Sequence, residues 1–156
     1  MLAPGDKAPL DIVVADGEGT LVTLKQYLGK YVVLFFYPKD MTPGCTTEAC
    51  NFRDATVDLQ HMGAHVIGVS KDTATSHGKF AKKYELNYPL LADTNHVLMD
   101  AFGVWGERKF MGRTYMGTSR STFLIDPQGT IVHVWEKVNP KEHVSEVIEV
   151  LKHIKK

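Results

Sequence analysis

The run Tyr31-Val32-Val33-Leu34-Phe35-Phe36-Tyr37, with the segment that leaves it, Pro38-Lys39-Asp40-Met41-Thr42-Pro43-Gly44-Cys45, decides how this chain folds. The run is apolar without a break and rich in β-branched and aromatic residues. It is far shorter than the roughly 18 residues of a membrane span, so it predicts a strand. Apolar side chains at both odd and even positions mean burial on both faces, as in the central strand of an α/β sheet. Pro38 ends it. Thr42 then predicts a helix N-cap and Pro43 the first helical residue, where a missing N–H costs nothing. Ala49, Phe52, Ala55, Val57 and Leu59 recur near helical period up to His61, and Gly63 closes the helix.

On the N-terminal side, Ile12-Val13-Val14 and Thr20-Leu21-Val22-Thr23 flank a glycine turn and predict an edge hairpin. Thr23 can cap a short helix, Leu24 to Leu28, stopped at Gly29. On the C-terminal side the pattern alternates. A strand over residues 65–70 leads to a polar helix over about 73–83, a short strand at 90–92 and a short helix at 97–102. Residues 103–119 have many glycines and little periodicity, and predict a loop. Strands at 122–126 and 130–135 around Pro127-Gln128-Gly129 form a hairpin, and an amphipathic helix over roughly 140–153 closes the chain. The expectation is an α/β fold: one domain over residues 1–156, with a mixed central sheet, helices on both faces and an N-terminal hairpin extension.

Composition narrows the function classes. The 156 residues carry 18 Lys and Arg against 18 Asp and Glu. A balanced charge gives no electrostatic footprint for nucleic acid or an anionic membrane, and neither is expected as a partner. No apolar run reaches membrane-span length, and the start Met1-Leu2-Ala3-Pro4-Gly5-Asp6-Lys7 does not read as a secretory signal, so a cytoplasmic protein is expected. A pair of cysteines in a reducing cytosol is more often catalytic, redox-sensing or metal-binding than structural. Metal is disfavoured. Zinc wants four ligands at recognisable spacing, whereas His61 and His65 lie either side of a helix end at Gly63.

Ligands of open α/β sheets bind beyond the carboxyl ends of the strands, which is where Pro38 to Cys45 lies. Cys45 falls at the third helical position, where free backbone N–H groups and the positive end of the helix dipole favour a negative sulfur. Free cysteine also packs well as a small apolar residue, so placement alone leaves both an active thiol and a core residue open. Cys50 carries the same alternative. Five residues apart on one helix, the two Cα atoms would be roughly 8.7 Å apart, beyond the limit of about 7 Å for a disulfide. Any bridge between them would have to unwind the helix start.

Pro38, Thr42 and Cys45 match the PxxxTxxC signature of the peroxiredoxins, and Arg120-Ser121-Thr122-Phe123-Leu124-Ile125-Asp126 resembles the stretch that supplies that family's active-site arginine. Gly44-Cys45-Thr46-Thr47-Glu48-Ala49-Cys50 is similar to the bacterioferritin comigratory protein (peroxiredoxin Q) subgroup. The resemblance covers essentially the whole chain and implies a thioredoxin-like fold and a thiol peroxidase for hydrogen peroxide and organic hydroperoxides. It implies Cys45 as peroxidatic nucleophile and Cys50 as resolving cysteine, an intramolecular disulfide, recycling by thioredoxin or a similar dithiol reductant, and no cofactor. Since both cysteines lie on one chain, a monomer is expected.

Chemistry gives the matched residues roles. Arg120 is always charged and can hold both the sulfur and the peroxide. Thr42 can donate its hydroxyl to the peroxide while its oxygen accepts from the helix start. Pro38 would shape the loop and shield the sulfur. Glu48 is a supporting residue, since the helix dipole already explains an acid there. A thiol-disulfide oxidoreductase usually carries CxxC, and here four residues intervene. A redox-sensing module would react with peroxide once and stop. Met99, Phe102, Trp105, Phe110 and Met111 fit either an apolar rim to the pocket or ordinary core.

Overall fold

In the computed structural model, residues 1–154 are described; the last two residues of the expected 1–156 domain lie outside them. Strand β3, Tyr31–Phe36, lies inside a seven-stranded sheet, between β4 (Ala64–Ser70) and β8 (Ser121–Ile125). Its side chains alternate between two cores, as the pleat requires. Val32, Leu34 and Phe36 enter one, and Val33 and Phe35, followed by Tyr37, enter the other. From Val33 to Tyr37 nothing is solvent-exposed. Each buried Phe removes enough apolar surface to contribute roughly 1.5–3 kcal/mol.

The remaining strands are β1 (Val14–Asp16), β2 (Leu21–Val22), β4 (Ala64–Ser70), β5 (Leu90–Ala92), β8 (Ser121–Ile125) and β9 (Ile131–Trp135), in the order β2-β1-β5-β4-β3-β8-β9. β3, β4 and β5 run parallel, while β1, β2, β8 and β9 pair antiparallel. The N-terminal hairpin β1–β2 lies at one edge, as expected, although β1 starts two residues later than the apolar patch that announced it. Gly68 in β4 has a packing reason: a Cβ there would meet Phe35 and Leu90 side-chain atoms at 2.8 Å.

Helices α1 (Pro43–His61), α2 (Ala74–Tyr84) and α4 (His143–Ile154) contribute to the core on the Phe35 face, and α3 (Val97–Phe102) packs on the Phe36 face. Helices thus cover both faces, three against one. The buried stripe of α1 is Cys45, Glu48, Ala49, Phe52, Ala55, Thr56 and Leu59, the three-and-four spacing of a helix face. Val57, expected on that stripe, sits off it and is exposed. α4 begins at His143, later than the expected 140.

Residues 103–119 are not a loop. They form a second, separate sheet of two strands, β6 (Trp105–Phe110) and β7 (Arg113–Thr118), paired antiparallel in full register. The turn is Met111-Gly112, both with positive φ (50° and 77°), the type I′ geometry that matches strand twist. The hairpin escaped sequence reading because it buries neither face over most of its length, so no apolar alternation marks it. The five apolar residues left open above divide accordingly. Met99 and Phe102 are fully buried core, Trp105 is half-buried, and Phe110 and Met111 are exposed at the hairpin tip.

Candidate active site

Pairing between β3 and β8 builds the site. Phe36 stands opposite Ser121, so Arg120, immediately before β8, is delivered to the end of β3 where the chain leaves the sheet. Across that point lies the first turn of α1, with Thr42 at the N-cap, Pro43 at the first helical position and Cys45 at the third. Arg120 Nη2 donates to Cys45 Sγ at 3.1 Å and Nη1 donates to Glu48 Oε1 at 2.8 Å. The two parallel donors of the guanidinium make this fork possible, and a single ammonium could not copy it. Gly44 leaves room for it. A Cβ at that position would stand 3.3 Å from Arg120 Nη2.

Cys45 is 1% exposed and Glu48 0%, while the Arg120 side chain keeps 19%. Burial pushes the Glu48 carboxyl up to about 7, opposed by the charge and hydrogen bond of Arg120. Its second oxygen, Oε2, is buried without a hydrogen-bond partner, which fits a group that carries its proton for part of the neutral range. Burial would by itself lower Arg120, but the charges of Glu48 and Cys45 hold the guanidinium up and it stays charged. Glu48 is therefore more than the dipole-favoured acid expected. Its place at i+3 from Cys45, on the buried stripe with Ala49 and Phe52, was already written in the spacing.

Thr42 corrects an expectation. It is the N-cap, but its hydroxyl accepts no bond from the helix start; it donates to the Lys39 carbonyl at 2.9 Å. With its proton so engaged, the hydroxyl oxygen can act only as an acceptor in this arrangement. Pro38 is half-buried and lines, with Lys39, Lys71, Arg108, Tyr115, Met116, Gly117, Thr118 and Arg120, a pocket of about 390 Å³. The β6–β7 hairpin is thus one wall of the site. Arg108, Tyr115 and Met116 are the residues that the sequence did not announce.

Cys50 lies on the same uninterrupted helix as Cys45 and is half-buried, and both thiols are free. Tyr88 donates its hydroxyl to the Ala49 carbonyl at 2.7 Å and Asn51 donates to the Pro140 carbonyl at 3.2 Å, so the helix is tied down next to Cys50. Among the described residues no group of three or more His, Cys, Asp or Glu converges as a metal site, and no helix is long and apolar enough to cross a membrane. The structure brings Pro38, Thr42, Cys45, Glu48 and Arg120 to one place and leaves Cys50 on the same helix, further along.

Comparison with known proteins places these residues in context. A sequence model of the AhpC/TSA family matches residues 4–134. The chain is 51% identical over 148 residues to peroxiredoxin Bcp of Bacillus subtilis, covering 95% of this chain and 94% of that protein. It is 43% identical over 151 residues to peroxiredoxin Bcp of Escherichia coli, covering 97% and 96%. Among solved structures, a cysteine-to-serine mutant of PrxQ from Xylella fastidiosa superimposes with a TM-score of 0.94 at 34% identity, covering 100% and 99% of the two chains. The bacterioferritin comigratory protein of Xanthomonas campestris, described for its alkyl peroxide reduction activity, superimposes with a TM-score of 0.92 at 36% identity, covering 99% and 100%.

Proposed function

The chain belongs to the AhpC/TSA family and is a thiol-dependent peroxidase, a peroxiredoxin of thioredoxin-like fold, and from that footing we propose that Cys45 is its peroxidatic nucleophile and Cys50 its resolving thiol. The observation that carries this reading is the fork of Arg120, a residue that lines the pocket and touches Cys45 Sγ and Glu48 together.

The thiolate of Cys45 attacks the terminal oxygen of a hydroperoxide. An S–O bond forms, the O–O bond breaks, the sulfur is oxidised to sulfenic acid, and the departing oxygen takes a proton to leave as water or an alcohol. Charge builds on that oxygen, so fixed donors aimed at it lower the barrier. Arg120 supplies them while stabilising the sulfur. Thr42 accepts a hydrogen bond from the peroxide O–H, the role left open by its bond to Lys39. Pro38 offers no N–H and keeps the loop from hydrating the sulfur. Glu48 holds Arg120 in place.

Cys50 then attacks the sulfenic sulfur, releasing water and forming a disulfide. On a continuous α-helix the two sulfurs cannot meet, so the first turn of α1 must unwind. A dithiol of thioredoxin type, near −270 mV, reduces the bridge by exchange. We read residues 1–156 as one domain acting as a monomer in the cytoplasm, since both thiols sit on one chain. Hydrogen peroxide and organic hydroperoxides are both substrates; the alkyl peroxide reduction described for the Xanthomonas campestris protein supports the latter.

The test is NADPH-coupled peroxide consumption with thioredoxin and its reductase. Wild type should turn over many times, Cys45→Ser not at all, and Cys50→Ser should react once and then stall. Full turnover by Cys50→Ser with thioredoxin would remove the intramolecular disulfide from the cycle.

A further inference from the structure

Asp40 is a residue of the Pro38–Cys45 segment to which the chemistry above gives no role, yet its carboxylate is heavily bonded. It is 4% exposed although its neighbours Lys39 and Met41 are exposed. Its carboxylate accepts from the Tyr37 hydroxyl at 2.6 Å, the Ser76 hydroxyl at 2.7 Å and faces His77 Nδ1 at 2.8 Å. Its backbone N–H donates to Asp72 Oδ2 at 2.8 Å. His77 is fully buried, and its Nε2 faces the Leu91 carbonyl oxygen at 2.9 Å. A carbonyl only accepts, so Nε2 carries a hydrogen. Nδ1 in turn faces a carboxylate oxygen, so a proton lies between them as well. Among the described residues, each member is the other's only charge partner within hydrogen-bond reach.

We propose that Asp40 and His77 form a positioning latch that holds the Pro38–Thr42 loop, and through it the first turn of α1, in the arrangement where Arg120 reaches Cys45. The inference rests on Cys45 being the peroxidatic thiol. Four parts of the molecule hold the midpoint of the loop: Tyr37 at the end of β3, Asp72 after β4, Ser76 and His77 on α2, and Leu91 in β5 through the imidazole. None of these four lies on α1. Directly after the latch, Met41 has φ 67°, a left-handed conformation that a side chain adopts only when its surroundings impose it. That reversal aims Thr42 at the Lys39 carbonyl and starts the helix. The latch therefore sits at the boundary between the fixed sheet and the segment that must loosen for a disulfide to form.

Losing the latch should slow the step that needs an ordered site and spare the step that needs an unwound one. Single-turnover stopped flow separates them: oxidation of Cys45 scales with peroxide concentration, and disulfide closure does not. For His77→Leu we expect the second-order constant for oxidation to fall roughly tenfold or more, as misplacement of reacting groups does, with disulfide closure unchanged or faster. His77→Asn, which keeps an N–H near the Nδ1 position, should recover most of the oxidation rate. Ile131→Ala, at the opposite end of the sheet, supplies a variant destabilised without touching the loop, and should leave both steps as in wild type. An unaltered oxidation constant in His77→Leu, or equal slowing of both steps in His77→Leu and Ile131→Ala, overturns the latch. Should His77→Leu fail to fold, Ser76→Ala removes one bond to Asp40 and should slow oxidation severalfold; an unaltered rate there overturns it equally. Wild-type Cys45 that does not react with peroxide would instead reject the peroxidase reading, and the latch with it.

Discussion

Arg120 donates to both Cys45 Sγ and Glu48 Oε1, and on the proposed mechanism this pair tunes the thiol. Replacing Arg120 with Ala removes the donor to Sγ and strands a buried carboxyl, and peroxide reduction should slow by a factor of order 10² to 10³, the usual cost of one transition-state donor. Arg120→Ala at full rate in the coupled assay would take the residue out of the mechanism. Glu48 makes a prediction about stability. Its folded value of about 7 lies above the ordinary 4.5, so the folded protein binds that proton more tightly than the unfolded chain. This stabilisation is full below about pH 4.5 and is lost as pH rises through about 7, amounting to at most about 3 kcal/mol. Glu48→Gln keeps an acceptor for Arg120 and cannot ionise. Urea midpoints measured from pH 4.5 to 7.5 should fall in wild type relative to Glu48→Gln, and parallel curves would mean that the carboxyl is not shifted. Pro38, Thr42 and Cys45 stood out in the sequence because one short motif carries them, and Arg120 because the stretch it opens resembles one that the family shares. The partnership of Asp40 with His77 was not, because only the sheet order brings together residues 37 apart.

On the proposed mechanism, both half-reactions depend on the first turn of α1. Its bounds, Pro43 to His61, were legible from the N-cap, the proline and the closing glycine, while the β6–β7 hairpin was not, having no buried face to leave a period in the sequence. Gly44 shows how function constrains this turn. A glycine at the second helical position costs roughly 0.5–1 kcal/mol against alanine, and its backbone has no positive φ to require it. What it provides is clearance for Arg120. Gly44→Ala should raise or preserve the melting temperature while slowing Cys45 oxidation severalfold, because the guanidinium must shift by a few tenths of an ångström. Equal or faster oxidation in Gly44→Ala would show that the fork tolerates the added methyl.

For the molecule as a whole, the double-sided core around β3 supplies a closely packed frame, with Val33, Phe35 and Tyr37 in the cluster that α1 joins and Val32, Leu34 and Phe36 in the cluster that α3 joins. Against that frame the site is a seam, where the end of β3, the start of α1 and the residue before β8 meet. The overall α/β order was legible because β3 is a solid apolar run, β4 and β8 carry apolar stretches, and α1 and α4 carry apolar stripes. On the proposed mechanism, such a frame lets one helix turn open, so that Cys45 and Cys50 of the same chain exchange a sulfenic acid for a disulfide. Intact mass with thiol alkylation after one equivalent of peroxide, on the wild type and on Cys50→Ser, tests this most directly. Wild type should lose the mass of two hydrogens and both alkylatable thiols, while Cys50→Ser should gain the mass of one oxygen. A wild type that gains oxygen while Cys50 stays alkylatable would contradict it.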